Sequence, residues 1–247
     1  MNRAAQRVAP MLLMSALAVV LAGSGCAVWR VGQAVEMARL SEPFQQRPPG
    51  AVVRLLVVGD STAVGTGALT STASVAGRLG LGHTGLWVEN RARDGARFAD
   101  VAAQMEGGDQ DFDIVLVQAG GNDVIRLSNW PEVRAAVDDV TRKARGMAPL
   151  VLLMPAGNVG NAPFFFAPVR GWMTRRSREL HGVVRDVAAQ HGAVYVNLFK
   201  ERDDDPFVLE PGLHARDGLH PSDAGYAVWW QQLMAQRSLD AALLPAR

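Results

Sequence analysis

The sequence has one cysteine and almost no net charge. With a single cysteine among 247 residues, no disulfide can form within the chain. The 25 basic and 24 acidic side chains leave a formal net charge of +1, which gives no electrostatic reason to expect nucleic acid as a partner. The hydrophobic content of 49% is typical of a globular protein. The composition therefore indicates a globular domain without disulfide bridges.

The chain also lacks a complete nucleotide-binding loop. Gly65-Thr66-Gly67 follows an apolar run, but Thr70 stands where the third glycine of a dinucleotide fingerprint belongs. The Gly-Lys-Ser/Thr end of a P-loop is missing as well. Histidines and carboxylates show no metal-like spacing. We therefore expect neither a cofactor nor a metal.

The N-terminal 28 residues differ in composition from the rest of the chain. Arg3 and Arg7 precede a nearly uncharged apolar stretch, which predicts an export signal or membrane anchor over residues 1–28 and a catalytic domain in the cell envelope. Cys26 is the candidate acylation site of a lipoprotein signal, although Gly23 stands where leucine is usual. A cleaved signal, a lipoprotein signal, an uncleaved anchor and a buried core helix remain open alternatives.

Two further regions follow this segment. Residues 29–50 include a stretch rich in proline and polar residues, 41–50, which predicts a short extended spacer. Residues 51–247 provide roughly 200 positions, enough for one well-buried core and too few for two ordinary domains. The sequence predicts one catalytic domain and does not indicate its oligomeric state.

Apolar runs and helix-like stretches alternate through this domain. Strands are predicted at 52–58, 86–91, 114–119, 150–154 and 193–198. Helices are predicted near 71–79, 96–105, 131–145, 174–191 and 222–237. Such alternation predicts a five-stranded parallel sheet covered by helices on both faces. A flavodoxin-like strand order, 2-1-3-4-5, would place the ends of the first and third strands side by side.

A serine follows the first predicted strand. The apolar run ends in Gly59-Asp60-Ser61, so Ser61 lies just past the carboxyl end of a buried strand, where open parallel sheets place their ligands. Alternatively, Asp60 and Ser61 only cap the next helix. An α/β-hydrolase elbow is disfavoured because Ala63 stands where its second glycine belongs.

An aspartate and a histidine lie near the other end of the domain. Asp217-Gly218-Leu219-His220-Pro221 places a carboxylate three residues before an imidazole, in a loop before the last predicted helix. A serine hydroxyl needs a base to take its proton, and a carboxylate on the other ring nitrogen orients that base. Ser61, His220 and Asp217 are therefore the candidate catalytic residues. The alternative is a surface histidine near a helix cap.

Acyl transfer also requires hydrogen-bond donors for the negative charge that develops on the carbonyl oxygen. The third predicted strand ends in Gly120-Gly121-Asn122-Asp123, and the second leads to Gly95. The backbone N–H of Ser61, the backbone N–H of Gly95 and the side chain of Asn122 are candidate donors. For the last two residues, ordinary turns at strand ends are the alternative.

Together these motifs resemble the SGNH subfamily of GDSL-type hydrolases. The four matching blocks are Gly59-Asp60-Ser61, Gly95, Gly120-Gly121-Asn122-Asp123 and Asp217-Gly218-Leu219-His220-Pro221. The resemblance implies a three-layer α/β/α domain with a triad of Ser61, Asp217 and His220, an oxyanion hole as above, and hydrolysis of esters or thioesters without a metal. The chain looks most like the bacterial lysophospholipase or esterase branch, which implies a small-molecule ester substrate.

Aromatic residues follow the fourth predicted strand. The segment 155–172 has no clear period and contains Phe164, Phe165 and Phe166. A loop at this position lies on the rim that carries the other site residues, so these side chains are candidates for lining an apolar acyl or aryl pocket. Packing against the core or a membrane surface is the alternative.

Three other functions remain open at the level of sequence. The same residues serve an acyltransferase that passes the acyl group to a sugar or lipid, or a carbohydrate O-acetylesterase of the cell envelope. The fold also suits a non-catalytic envelope binding protein. An intact set of site residues favours an enzyme.

Overall fold

One parallel sheet organises the domain. The computed structural model describes residues 29–108 and 111–243, and the predicted signal or anchor with Cys26 lies outside them. The strands are β1 (Val53–Gly59), β2 (Leu86–Asn90), β3 (Ile114–Gln118), β4 (Leu150–Leu153) and β5 (Val194–Tyr195). Their order is β2-β1-β3-β4-β5 and all pairs are parallel, which confirms the predicted topology.

Ten helical segments surround the sheet in the described residues. They are α1 (29–40), α2 (Ser61–Val64), α3 (Val75–Gly82), α4 (Phe98–Gln104), α5 (Gly121–Ile125), α6 (Trp130–Met147), α7 (Ala167–His191), α8 (Pro206–Leu209), α9 (Asp223–Met234) and α10 (Arg237–Leu243). Short 3₁₀ turns lie at Ser71–Ala73, Val159–Asn161 and Arg202–Asp204. Within these residues, we find no helix with both the length and the apolar character needed to traverse a bilayer.

Two hydrophobic cores lie on opposite faces of the sheet. Leu55 and Val57 of β1 belong to the core that includes α3, α9 and α10. Leu56 and Val58 belong to the core that includes α4, α6 and α7. Successive strand residues point to opposite faces, so a strand covered on both sides reads as one continuous apolar run. The predicted three-layer α/β/α sandwich is confirmed.

The last strand is shorter than predicted. The apolar run 193–198 predicts a full strand, but β5 contains only Val194–Tyr195. The side chain of Asn197 accepts a hydrogen bond from the backbone N–H of Phe199 at 3.0 Å, which turns the chain after β5. Val196 and Leu198 are buried, so the remaining apolar residues of the run fill the core without extending the sheet.

The segment 29–50 contains a helix ahead of the stretch that is predicted to be an extended spacer, 41–50. Residues 29–40 form α1, and the chain after it packs on the domain. Phe44 is buried in the core, and the backbone groups of Gln46 exchange hydrogen bonds with those of Val88 at 3.0 and 2.8 Å. The proline-rich composition predicts an extended chain, but it does not predict that this chain forms hydrogen bonds with β2, a strand at the edge of the sheet. The domain boundary at residue 51 stays a prediction.

Candidate active site

The candidate nucleophile lies in the first turn after β1. Ser61 is the first residue of α2, and Asp60 caps that helix. The Asp60 carboxylate accepts hydrogen bonds from the backbone N–H of Thr62 at 2.9 Å and from its hydroxyl at 2.7 Å. Ser61 therefore occupies a helix N-terminus, where backbone N–H groups lack intrahelical partners and favour negative charge.

The structure brings the three predicted catalytic residues together. The Nε2 atom of His220 lies 2.9 Å from Oγ of Ser61, and Nδ1 lies 2.6 Å from Oδ2 of Asp217. A carboxylate accepts hydrogen bonds, so Nδ1–H donates to Asp217 and Nε2 accepts from the Ser61 hydroxyl. This arrangement is the hydrogen-bonded chain that serine acyl transfer requires.

The Asp217 carboxyl is held as an anion. Burial would raise its pKa, but the hydrogen bond and charge of His220 outweigh burial and keep the pKa below its ordinary value. The backbone N–H groups of Leu219 and His220 also donate to Oδ1, at 2.9 and 3.1 Å. The ionised carboxylate can therefore fix the tautomer of the imidazole and stabilise its charged form.

Asp217 and His220 lie in a loop that is held by its own backbone hydrogen bonds. The backbone N–H of Ala215 donates to the carbonyl of His220 at 2.8 Å, and that of Gly218 donates to the carbonyl of Ala215 at 2.9 Å. Gly218 has a φ of +70°, a conformation that favours glycine. The carbonyl of Gly218 in turn accepts from the backbone N–H of Phe164 at 2.9 Å. These bonds hold both catalytic side chains against the neighbouring loop.

The predicted oxyanion donors lie beside the nucleophile. Gly95 and Asn122 line the same cavity as Ser61. Nδ2 of Asn122 donates to the carbonyl of Ala96 at 3.1 Å, which orients the amide. An amide nitrogen carries two N–H groups, so one remains for a ligand. All three residues that carry the predicted donors therefore line one cavity, and we call the part of the lining that they form the donor wall.

Asp123 ties this wall to the neighbouring helix. Its buried carboxylate accepts from the backbone N–H of Phe98, the first residue of α4, at 3.0 Å. Burial raises the pKa of Asp123. The sequence places Asp123 in the Gly120-Gly121-Asn122-Asp123 motif but does not predict its role. Its partner is a backbone group 25 residues away, which a sequence motif does not reveal.

An apolar cavity opens at the catalytic residues. Its volume is about 370 Å³, within the range of small-molecule sites. Its apolar lining residues come from several segments and include Val31, Val35, Ile125, Phe164, Phe207 and Trp229. The contribution of α1 was missed, although the i, i+3, i+4 spacing of Val31, Ala34 and Val35 is a signal for one apolar helix face.

The three consecutive phenylalanines occupy different environments. Phe164 lines the cavity. Phe165 packs against the core on the α6 and α7 face, and its ring meets that of Phe164 edge to face with centroids 5.0 Å apart. Phe166 is 68% exposed and precedes α7. The hypothesis of a pocket built from all three is therefore corrected to Phe164 alone, because the start of α7 carries its neighbours elsewhere.

His214 is a further residue at the cavity. It lies half-buried in the cavity lining, with its ring edge to face against Phe207 at a centroid distance of 5.1 Å. Burial lowers the pKa of His214 to about 4, so the imidazole is neutral at pH 7. It therefore adds neutral ring surface to the wall.

The described residues contain no cluster of three or more His, Cys, Asp or Glu side chains placed to hold a metal ion. The expectation of metal-free, cofactor-free hydrolysis stays a prediction.

Comparison with known families identifies the class of protein. The model of the GDSL-like Lipase/Acylhydrolase family matches residues 57–228, more than half of the chain. The chain therefore belongs to the GDSL-like lipase/acylhydrolase family, and the protein is an esterase- or lipase-like hydrolase. No curated protein matches the sequence.

Solved structures share the fold. A member of the lipolytic G-D-S-L family from Veillonella parvula is 12% identical, with a TM-score of 0.62 over 75% of this chain and 98% of that one. The lipase/acylhydrolase from Enterococcus faecalis is 20% identical, with a TM-score of 0.60 over 79% and 99%. A catalytic mutant of an acetylxylan esterase from Geobacillus stearothermophilus is 20% identical, with a TM-score of 0.57 over 75% and 94%.

Proposed function

We propose that this protein is a serine esterase that hydrolyses carboxylic esters or thioesters through an acyl-enzyme on Ser61. The observation that carries the proposal is the hydrogen-bonded chain from buried Asp217 through His220 to Ser61. Ser61 and His220 lie at an apolar cavity of about 370 Å³. An activated hydroxyl beside such a cavity suits an ester with an apolar part.

Acylation begins with proton transfer from Ser61. Nε2 of His220 takes the proton as Oγ forms a bond to the ester carbonyl carbon, and the carbonyl π electrons move to the oxygen. The resulting imidazolium is stabilised by Asp217. When the tetrahedral intermediate collapses, the bond to the leaving group breaks and His220 gives its proton to the departing alcohol or thiol.

The negative oxygen of this intermediate binds at the donor wall. The donors are the backbone N–H groups of Ser61 and Gly95 and the side-chain amide of Asn122. Gly95 adopts a φ of +76°, and a Cβ there would lie 3.1 Å from Nη2 of Arg126. A glycine thus keeps this part of the wall open. Donors already in place stabilise developing charge without reorganisation during the reaction.

Deacylation repeats the chemistry with water. His220 takes a proton from water as its oxygen attacks the acyl carbon, and the second tetrahedral intermediate releases the acid. Oγ of Ser61 recovers a proton from His220, which restores the starting state. Each cycle consumes one ester and one water and requires no redox partner.

We favour lipid-like esters, including lysophospholipid-type esters, as the substrates. Apolar side chains from α1, α5 and the loop before α7 line the cavity that contains Ser61. An apolar chain bound there would be removed from water, at roughly 25 cal/mol per Å² of area covered. We also place the enzyme in the cell envelope, because Arg3 and Arg7 followed by a nearly uncharged apolar segment are typical of an export signal or anchor.

Replacing the nucleophile tests the proposal. We expect Ser61→Ala to lower kcat for p-nitrophenyl acetate by several orders of magnitude, because covalent catalysis is lost. Labelling by a fluorophosphonate probe should disappear in the same variant. Wild-type turnover in a folded Ser61→Ala protein would exclude Ser61 as the nucleophile.

Asn122→Ala provides the matched comparison for this test. It keeps the nucleophile, so probe labelling should persist at a lower rate. Its kcat should fall by roughly 10²- to 10³-fold, as expected when one oxyanion donor is removed. Undiminished kcat in this variant would remove Asn122 from the oxyanion hole.

A further inference from the structure

We propose that α1 forms the outer wall of the substrate cavity and determines the preference for esters with a long apolar chain, on either the acyl or the alcohol side. The inference rests on the proposed esterase function. It assigns substrate selectivity to a helix outside the residues that carry out the chemistry.

One face of α1 borders the cavity. Val31, Ala34 and Val35 line it together with Ser61 and His220. The spacing of these three residues places them on the same side of a helix. Val31 and Val35 remain 49% and 47% exposed, which is unusual for two valines beside a catalytic centre. An alkyl chain in the cavity would cover this surface.

Further apolar residues line the cavity. Ile125 of α5 and Phe164 of the loop before α7 belong to its lining. An alkyl chain that contacts these side chains as well as α1 is removed from water over more of its surface, so each added methylene contributes to binding. With α1 absent, the part of the chain that α1 covers would remain in water.

Several contacts hold α1 in place. The Arg30 guanidinium donates to the backbone carbonyl of Pro163, next to the cavity residue Phe164. Met37 is buried, and Oγ of Ser41 donates to the carbonyl of Met37 at 2.8 Å at the end of the helix. The Arg30 contact therefore joins the start of α1 to the loop at Pro163, and the burial of Met37 indicates packing near the other end.

The chain after α1 is bound to the domain as well. Nε2 of Gln45 donates to the carbonyl of Asn90 at 2.6 Å, and the Gln45 side-chain oxygen accepts from the backbone N–H of Asn90 at 3.1 Å. Phe44 is buried against Gly80, where a Cβ would lie 2.5 Å from the ring. These contacts set the position of α1 relative to the catalytic serine.

The wall lies outside the span that the family model matches. That match begins at residue 57, whereas α1 ends at residue 40. The proposed catalytic residues and oxyanion donors lie within the matched span. Selectivity that depends on α1 can therefore change while the residues of the chemistry are retained.

The double variant Val31→Asn/Val35→Asn tests the wall in the full chain. Valine and asparagine have similar helix propensities, so the change mainly replaces apolar surface by polar surface. We expect the ratio of kcat/KM for p-nitrophenyl decanoate over the acetate, or for decyl acetate over ethyl acetate, to fall about tenfold. Leu40→Asn is the matched control, because Leu40 is exposed on α1 and does not border this cavity. Its ratios should equal those of the wild type.

A binding measurement separates this inference from the proposed chemistry. Methyl decanoate should bind the Ser61→Ala protein about tenfold more weakly after Val31→Asn/Val35→Asn is added, and equally well after Leu40→Asn is added. Unchanged affinity and unchanged ratios in the double variant would overturn the role of α1. If the double variant binds methyl decanoate more weakly but the wild type hydrolyses no ester, the role of α1 in binding is supported and the proposed esterase activity is rejected.

Discussion

At the scale of single residues, Asp60 is a buried carboxyl group next to the nucleophile. Burial raises its pKa from 3.8 to about 6, although the hydrogen bonds from Thr62 oppose the shift. A carboxyl whose pKa is higher in the folded than in the unfolded chain binds its proton more tightly when folded. Its contribution to stability is therefore present at low pH and is lost as the pH rises through about 6.

Asp60→Asn should remove this pH dependence. Asparagine keeps an oxygen that accepts from Thr62 but does not ionise. The difference in free energy of unfolding, variant minus wild type, should be about 2 kcal/mol larger at pH 8 than at pH 4, so the variant gains stability over the wild type as the pH rises. Denaturant unfolding of both proteins at both pH values measures the difference. Asp203→Asn, at an exposed position, should differ from the wild type equally at both pH values; the same result for Asp60→Asn would contradict the prediction.

The polar site residues were predictable because each follows a strand or belongs to a short motif. Ser61, Gly95 and Asn122 lie after β1, β2 and β3, and the carboxyl ends of parallel strands meet at one edge of the sheet. The pocket residues were less predictable. Phe164 and Phe166 are close in sequence, yet only Phe164 reaches the cavity, since side-chain direction depends on the turn into α7.

At the scale of elements, β1 and β3 approach very closely where β1 ends. Gly59 has a φ of +147°, and a Cβ at this position would lie 1.8 Å from the backbone oxygen of Gln118. Both partners are backbone, so neither can move aside as a flexible side chain would. The glycine thus permits the strand to end directly beneath the catalytic serine.

Gly59→Ala should be strongly destabilising. The added methyl group forces β1 and β3 apart, and we expect a loss of about 3 kcal/mol or more in the free energy of unfolding. Urea unfolding monitored by circular dichroism measures it. Gly182→Ala is the control, because Gly182 lies within α7 with open space around it and should gain roughly 0.5–1 kcal/mol. A Gly59→Ala protein as stable as the wild type would contradict the close approach.

Element boundaries show which physical signals the sequence carries. The inner strands β1, β3 and β4 were predictable because strands buried on both faces form nearly continuous apolar runs. The prediction starts α7 at residue 174, but the helix begins at Ala167 with a proline in its first turn. Proline there costs no intrahelical hydrogen bond, so Pro168 is compatible with a helix start in a segment that has no clear period.

At the scale of the whole molecule, the catalytic residues come from opposite ends of the domain. Ser61 and His220 are 159 residues apart in sequence, and their atoms meet only when the complete sheet has formed. The contact of α1 with the cavity likewise depends on tertiary packing. Periodicity predicts an apolar helix face, but it does not identify the surface against which that face lies.

The location of the enzyme is testable with reporter fusions. Residues 1–50 should export a reporter enzyme that becomes active only after forming disulfides outside the cytoplasm, whereas residues 29–50 should not. Reporter activity in intact bacteria provides the measurement. A Cys26→Ser version of the longer fusion separates lipid attachment from the other anchors. Equal inactivity of both fusions would reject the envelope location.

The hydrogen bonds of Gln45 and Gln46 have a mechanical consequence. They fasten the chain to β2, and α1 is fastened to the loop at Pro163. Residues 29 to 53, all of which are described, are therefore held against the domain at several points. A force applied at residue 29 acts on the residues that border the cavity, whereas a flexible linker at this position would extend without transmitting it. A restraint at residue 29 therefore also constrains the direction in which the cavity opens.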